Sequence, residues 1–202
     1  MPQTASKQCV IINLNGWPGV GKLTIGLELA DLLGARLLDN HSLLNIAIAL
    51  TDYPSAAYYE AVRALGDVAF RCALALPPGT PLILTSVNAT GGSTGFAEQH
   101  WVAVRNLAAQ RGVPLVAITL ECEPDERARR IAQPERRVSK KLRDPALVEG
   151  MMIGRALFDD GADYRHRVDT TFDDPKASAS KIAAWIRDTV GSPGAAHSLA
   201  PK

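Results

Sequence analysis

Cysteine is scarce in this chain: Cys9, Cys72 and Cys122 are odd in number and widely spaced. That excludes a paired disulfide framework and a zinc knuckle. Long hydrophobic runs are missing too. Stretches such as residues 43–50 fall well short of the ~20 residues that a membrane span needs. The N-terminus, MPQTASKQ, is polar and leads straight into an apolar run, which is not the pattern of a secretory signal. An excess of charge of one sign is also absent. Lys plus Arg total 22 and Asp plus Glu 21 in 202 residues, a net charge of +1, so no global field draws the protein to nucleic acid or an anionic membrane. With 47% hydrophobic residues, a chain without a packed core is excluded as well. The expectation is one domain or two small ones, cytoplasmic, with reduced thiols, as a monomer or homodimer.

What is present is an alternation of apolar runs and helical periodicities. CVIINL, residues 9–14, reads as a buried strand, and Ile25, Leu29, Leu32 and Leu33 recur at helical spacing over residues 22–33, with Gly34 as C-cap. Residues 36–38 read as a second strand. A long helical region with a break at 52–55 stops at Pro77-Pro78-Gly79. Residues 82–84 form a third strand, opening into the Gly-rich stretch 88–95. Residues 98–110 are helical and 113–120 a fourth strand. Further helices are expected over 124–132, 146–157 and 177–190, and a fifth strand over 167–171. Residues 1–8 and 191–202 have no periodicity and read as disordered ends. Such alternation implies an α/β fold, a parallel sheet with helices on both faces, and in such sheets ligands bind at the carboxyl ends of the strands. The loops to search are 15–24, 39–45, 85–96 and 121–143.

In the first of these, Gly16-Trp17-Pro18-Gly19-Val20-Gly21-Lys22 satisfies G-x-x-x-x-G-K between an expected strand and an expected helix, the context that the motif requires. Its glycines let backbone N–H groups wrap a phosphate, the helix N-terminus favours the anion, and Lys22 adds a point charge. The competing reading is an ordinary Gly-rich turn, which needs neither three glycines nor a lysine at this spacing. Leu23 follows the lysine where Ser or Thr is usual, and Thr24 comes next.

The loop resembles the G-x-P-G-x-G-K-G-T form of adenylate kinase and its relatives. From residue 9 to 190 the chain looks like the small P-loop kinases, among them the nucleoside monophosphate, shikimate and gluconate kinases. That resemblance implies a five-stranded parallel sheet in the order 2-3-1-4-5, a short lid, and ATP with Mg2+. It makes Gly16, Pro18, Gly19, Val20, Gly21, Lys22, Leu23 and Thr24 the nucleotide-binding loop, with Lys22 catalytic, Thr24 on phosphate, and magnesium held by Thr24 or largely through water.

Residues 127–143 hold eight basic side chains and one acid, a local charge of +7 against −6 for the rest. A charge run is commonly just a solvated face. This one follows strand four, at the sheet end where phosphates would lie, and Pro134 interrupts it as in a lid. The segment from Glu121 to Ile131 is similar to the lid entrance of adenylate kinases, which makes Arg130 the side chain that stacks on adenine, with Arg127 and Arg129 as substitutes. Arg136 or Arg137 would reach the transferring phosphoryl group. Arg143 and Arg155 resemble later phosphate-contacting arginines more loosely. Without aromatic residues between its charges, the patch does not read as a nucleic-acid surface.

On the acceptor side, Asp39 ends strand two and resembles the acid of shikimate and gluconate kinases that contacts the acceptor or organises magnesium; alternatively, Asp39 or Ser42 simply caps the next helix. His41 is a candidate hydrogen-bonding partner for substrate. Strand three ends Leu84-Thr85-Ser86-Val87-Asn88, without a Walker B acid and without the Asp-Gly-x-Pro-Arg pattern of nucleoside monophosphate kinases. Ala89-Thr90-Gly91-Gly92 resembles the Gly-rich substrate loop of shikimate kinase, or makes a tight turn. Arg63 and Arg71 are the only candidates in 43–80 for binding a carboxylate. The expectation is a phosphotransferase acting from ATP on a hydroxyl of a small molecule. The alternatives are a nucleotide-binding regulatory switch and a nucleoside monophosphate kinase.

Overall fold

The computed structural model of the chain describes residues 9–133 and 144–190. The two expected disordered ends and most of the expected lid, including Arg136, Arg137 and Arg143, lie outside the described residues. Five strands, β1 (Ile11–Asn15), β2 (Arg36–Leu38), β3 (Leu82–Ser86), β4 (Leu115–Glu121) and β5 (Tyr164–Asp169), form one parallel sheet in the order β2-β3-β1-β4-β5. β1 lies at the centre with all five residues buried, as a strand covered on both faces requires; its two polar residues, Asn13 and Asn15, are buried with the rest. The expected fold class and strand order are therefore the ones observed.

Among the described residues the helices are α1 (Lys22–Leu33), α2 (Asn40–Leu50), α3 (Ala56–Leu74), α4 (Phe96–Arg111), α5 (Pro124–Ile131), α6 (Pro145–Met152) and α7 (Pro175–Val190). Ile25 and Leu29 of α1 and Ile182 and Ile186 of α7 pack on one face against Ile12, Leu14, Ile83 and Ile118. Ala73 of α3 and Trp101, Val104 and Leu107 of α4 pack on the other against Ile11, Leu84 and Ala117. A smaller cluster around Tyr58 and Val62 joins α2 to α3 and to Phe96. Ser55 separates α2 from α3 by capping the latter, accepting from the Tyr58 amide at 3.1 Å. No helix among the described residues is long and apolar enough to cross a membrane.

Two elements differ from expectation. β5 begins at Tyr164, before the expected 167, because as an edge strand it alternates exposed Arg165 and Arg167 with half-buried Tyr164 and His166. Such a strand carries no apolar run to find. α6 ends at Met152 instead of 157: Gly154 takes φ +67°, and the chain turns to pair Leu157 antiparallel with Ala89. The segment leaving α6 thus becomes a strap on the end of β3, with Phe158 N donating to Asn88 O at 3.0 Å and Thr90 N to Ala156 O at 2.8 Å.

Polar side chains inside the central strand hold this junction. Asn13 exchanges hydrogen bonds with Ser86 at 3.0 and 3.1 Å. Asn15, fully buried, accepts from the amides of Gly16 and Asn88, each at 2.9 Å, and donates to Phe158 O at 3.1 Å and Asn88 O at 3.3 Å. Truncating Asn15 to Ala would strand several buried backbone groups, each costing about 1–3 kcal/mol. We expect Asn15→Ala to lower the unfolding free energy by about 3 kcal/mol in urea titrations. An unchanged midpoint would contradict this anchoring role.

Candidate functional site

The carboxyl ends of β1, β3 and β4 converge on residues 16–22, the loop that joins β1 to α1. Its shape depends on two close approaches. A Cβ on Gly16 would lie 2.7 Å from Leu120 O of β4, and one on Gly19, at φ +99°, would lie 2.8 Å from the Arg127 side chain. Neither position accepts a larger residue without moving backbone or a packed helix. Gly21 occupies the N-cap position of α1 in the left-handed conformation, and no side chain caps the helix. The first-turn amides are thereby left for a ligand.

Lys22, half-buried, folds back across the loop. Its Nζ donates to Gly16 O and, at 3.1 Å, to Trp17 O, which places the ammonium over the loop's own curve. Thr24 is exposed in the first turn, with its hydroxyl donating to Gly21 O at 2.9 Å. On the far side, the Thr170 hydroxyl reaches both Val20 O at 3.1 Å and Glu121 O at 2.9 Å, tying the loop to the ends of β4 and β5.

Asp39 occupies the N-cap position of α2, yet its side chain does not cap the helix. The carboxylate turns to the sheet and accepts from the Thr85 hydroxyl at 2.7 Å, while that hydroxyl accepts from Asn40 N at 2.9 Å. The capping alternative for Asp39 is therefore corrected: β3 holds this acid at the sheet end. Leu38 is in register with Leu84, and Leu84 with Asn13, so Asp39 stands at the level of the β1 residues that lead into the loop.

The described arginines of the basic run are each committed. Arg127 is buried, with its stem against Gly19 and its Nη1 donating to Cys122 O at 3.3 Å. Arg129 is exposed and pairs with Glu126 at 2.6 Å. Arg130 donates to Glu126 at 2.7 Å, to Thr170 O at 2.7 Å, to the Thr170 hydroxyl at 3.2 Å and to Thr171 O at 3.2 Å. It is a clamp between α5 and the loop after β5, with its guanidinium edge spent on protein acceptors. Hydrogen bonds from Arg129, then Arg130, pull the Glu126 carboxyl down to about 2. Arg155 donates to Thr90 O at 2.8 Å and lies 5.8 Å from the Trp17 ring centre. Arg71 sits in the last turn of α3, which leads into the start of β3, at the sheet end remote from the loop. Among the described residues no cluster of three His, Cys, Asp or Glu side chains could by itself hold a metal.

A cleft of about 330 Å³ lies beside the loop, lined by Trp17, Val20, Glu121, Arg127, Arg155 and Arg167 among others. A larger open groove, about 1500 Å³, runs along the opposite end of β4 and β5 past Pro114, Asp163 and Trp185. Parallel sheets bind ligands at the carboxyl ends of their strands, so the smaller cleft is the candidate. The linking roles of Asn15 and Thr85 escaped sequence reasoning, where the one signal was Asn13 and Asn15 interrupting an otherwise apolar strand; Thr170 lies in the stretch 168–171, which resembles the loop that borders adenine in these kinases, but its tie to Val20 was not expected.

No protein-family model and no curated sequence matches the chain. Solved structures do match. A candidate kinase from Chloroflexus aurantiacus superposes with a TM-score of 0.63 at 18% identity, covering 88% of this chain and 98% of that one. The APS kinase of Mycobacterium tuberculosis with AMPPNP and APS gives 0.57 at 15%, covering 89% and 98%. Shikimate kinase from Acinetobacter baumannii with shikimate gives 0.56 at 21%, covering 93% and 98%. The chain has the fold of the P-loop small-molecule kinases.

The Glu126 shift has a measurable consequence. Its folded value is depressed, so the clamp's electrostatic contribution is present at neutral pH and is lost as pH falls from about 4.5 towards about 2. A carboxyl-detected NMR titration should place the Glu126 midpoint near 2, and in Arg129→Ala it should rise. A midpoint near 4.5 in the intact protein would overturn the arrangement.

Proposed function

We propose that the protein transfers the γ-phosphoryl group of ATP to a hydroxyl of a small molecule. The observation that carries this reading is the loop of residues 16–22: glycines at close contacts, an uncapped α1 N-terminus, and Lys22 folded over it. Amides of the loop, with Gly16, Pro18, Gly19, Val20, Gly21, Lys22, Leu23 and Thr24, bind the phosphates, and Lys22 follows the charge that develops on them. The kinase neighbours, one solved with a nucleotide analogue and one with a hydroxylated acid, support the same class of reaction.

In the transfer, the acceptor oxygen forms a bond to the γ-phosphorus while the bond from that phosphorus to the β–γ bridging oxygen breaks. ADP leaves, and the hydroxyl proton passes to the Asp39 carboxylate and then to solvent. Thr85 orients Asp39 for this by donating to one of its oxygens. Arg130 presents its guanidinium face beside the base, its edge remaining on Thr170 and Thr171. Arg136 or Arg137, outside the described residues, is assigned to the transferring phosphoryl group, which a planar cation suits.

The exposed Thr24 hydroxyl is a hard oxygen donor that fits magnesium, and with so few protein donors most of the ion's shell would be phosphate oxygen and water. When bound, magnesium supplies charge neutralisation at the phosphates.

In a coupled ADP-release assay, Lys22→Met should lower kcat by about a hundredfold or more. Asp39→Asn should lower kcat by a similar factor while leaving ATP-analogue affinity within about twofold. Full turnover in Lys22→Met, or no binding of AMPPNP by the intact protein, would remove this reading.

A further inference from the structure

One guanidinium joins three separate segments beside the phosphate loop. Each nitrogen of Arg155 donates to a backbone carbonyl: Nε to Thr90 O at 2.8 Å, Nη2 to Ala89 O at 3.4 Å and Nη1 to Met151 O at 3.4 Å. The guanidinium also lies over the ring of Trp17, in the second position of the loop, 5.8 Å from its centre. The side chain rests on the turn that follows β3. A Cβ on Gly91, at φ +74°, would come within 3.3 Å of its Cγ, and one on Gly92 within 3.6 Å of its Nη2. Trp17, Arg155, Ala156 and Leu157 line the same cleft, so the loop and the strap are neighbours in space as well as through this one contact.

Thr90 completes the attachment. Its amide donates to Ala156 O at 2.8 Å, and its hydroxyl accepts from Ala156 N at 3.0 Å. Apolar anchoring of α6 and the strap is slight: α6 fully buries only Val148, Met152 and Leu157 touch the core half-buried, and Leu147 and Ile153 are exposed. A segment with few buried apolar contacts opens at low free energy, so local polar contacts such as these set its position. On its backbone side Trp17 is tied to the ligand end of the site, since Lys22 Nζ donates to Trp17 O at 3.1 Å. A nucleotide that engages Lys22 and the loop amides orders the Trp17 peptide, and an ordered ring lowers the entropy lost in seating Arg155 on it.

We propose that Arg155 is a positioning residue that couples the phosphate loop to the turn at residues 90–92, so that nucleotide bound at the loop tightens the strap and that turn through Trp17. The proposal rests on the nucleotide-binding part of the reading above. It gives Arg155 a role through protein groups and not through a phosphate contact. Because β3 lies between β2 and β1, the turn leaving β3 departs from the sheet between Asp39 and the phosphate loop. Tightening it when the donor is in place orders the acceptor side before transfer, and by linkage an acceptor held there strengthens nucleotide binding in return.

The test follows hydrogen exchange of single amides in the full chain by NMR, without and with saturating AMPPNP. The Asp163 amide, bonded to Leu115 O at the opposite end of the sheet, is the reference for stabilisation of the whole fold. In the intact protein AMPPNP should slow the Thr90 and Ala156 amides about threefold more than the Asp163 amide. Trp17→Leu, which removes the aromatic face and leaves the carbonyl partners of Arg155 in place, should abolish that excess, and Trp17→Phe should retain it. Arg155→Ala should abolish it too; if that variant does not fold, the two Trp17 variants decide. Failure of AMPPNP to bind in calorimetry removes the kinase reading together with this proposal. Binding without excess slowing in the intact protein, an excess that persists in Trp17→Leu or Arg155→Ala, or one lost equally in Trp17→Phe would overturn the coupling while leaving nucleotide binding intact.

Discussion

The side-chain amide of Asn15 is the interaction on which the site depends. Buried at the end of the central strand, it satisfies the first amide of the phosphate loop, the backbone of β3 at Asn88, and the strap that returns from α6 at Phe158. One neutral side chain therefore sets where the loop starts, where β3 ends, and how the segment after α6 lies across both. A charged residue there would carry a desolvation cost that these backbone partners would not offset. An apolar one would leave their polar groups stranded.

From that junction the loop is held on two further sides, and Asp39 beside it, by different means. Gly16 and Gly19 admit the backbone of β4 and the stem of Arg127 at distances no side chain allows. Thr170 fastens the loop to β4, and Arg130 fastens Thr170 to α5. Thr85 turns Asp39 towards the sheet end. Neutral hydroxyls and amides thus do the positioning, while Lys22 and Asp39 are kept at the mouth.

The basic run illustrates how tertiary context redistributes a feature that composition only locates. Read along the chain, Arg127, Arg129 and Arg130 are three neighbouring cations. In the fold, the first is buried beneath Gly19, the second pairs with Glu126 on the surface, and the third joins α5 to the loop after β5. Their spacing on one short helix sends successive side chains to different faces. Local charge counting cannot separate these roles.

Much of the architecture was legible in the chain itself, because β1, β3 and β4 are apolar runs and α1 carries a clear 3.6-residue period that ends at Gly34. The phosphate loop was legible for a stronger reason: glycine at close backbone contacts and lysine at the helix start are demanded locally, within seven residues. β5 was misplaced because an edge strand alternates charged with half-buried residues, and α6 was overextended because the strap that ends it forms through pairing with residues nearly seventy positions earlier. Asn15, Thr85 and Thr170 have meaning only through partners distant in sequence. So do the ring contacts that run from Tyr53, before α3, through Tyr58 and Tyr59 of α3 to Phe96 of α4. Sequence alone determined the fold class and the place of the glycine-rich loop, since both follow from local periodicity and backbone conformation. Tertiary structure alone decided which of the described arginines are spent and how Asp39 is held, since hydrogen bonds between distant segments exist only once the sheet has brought those segments together.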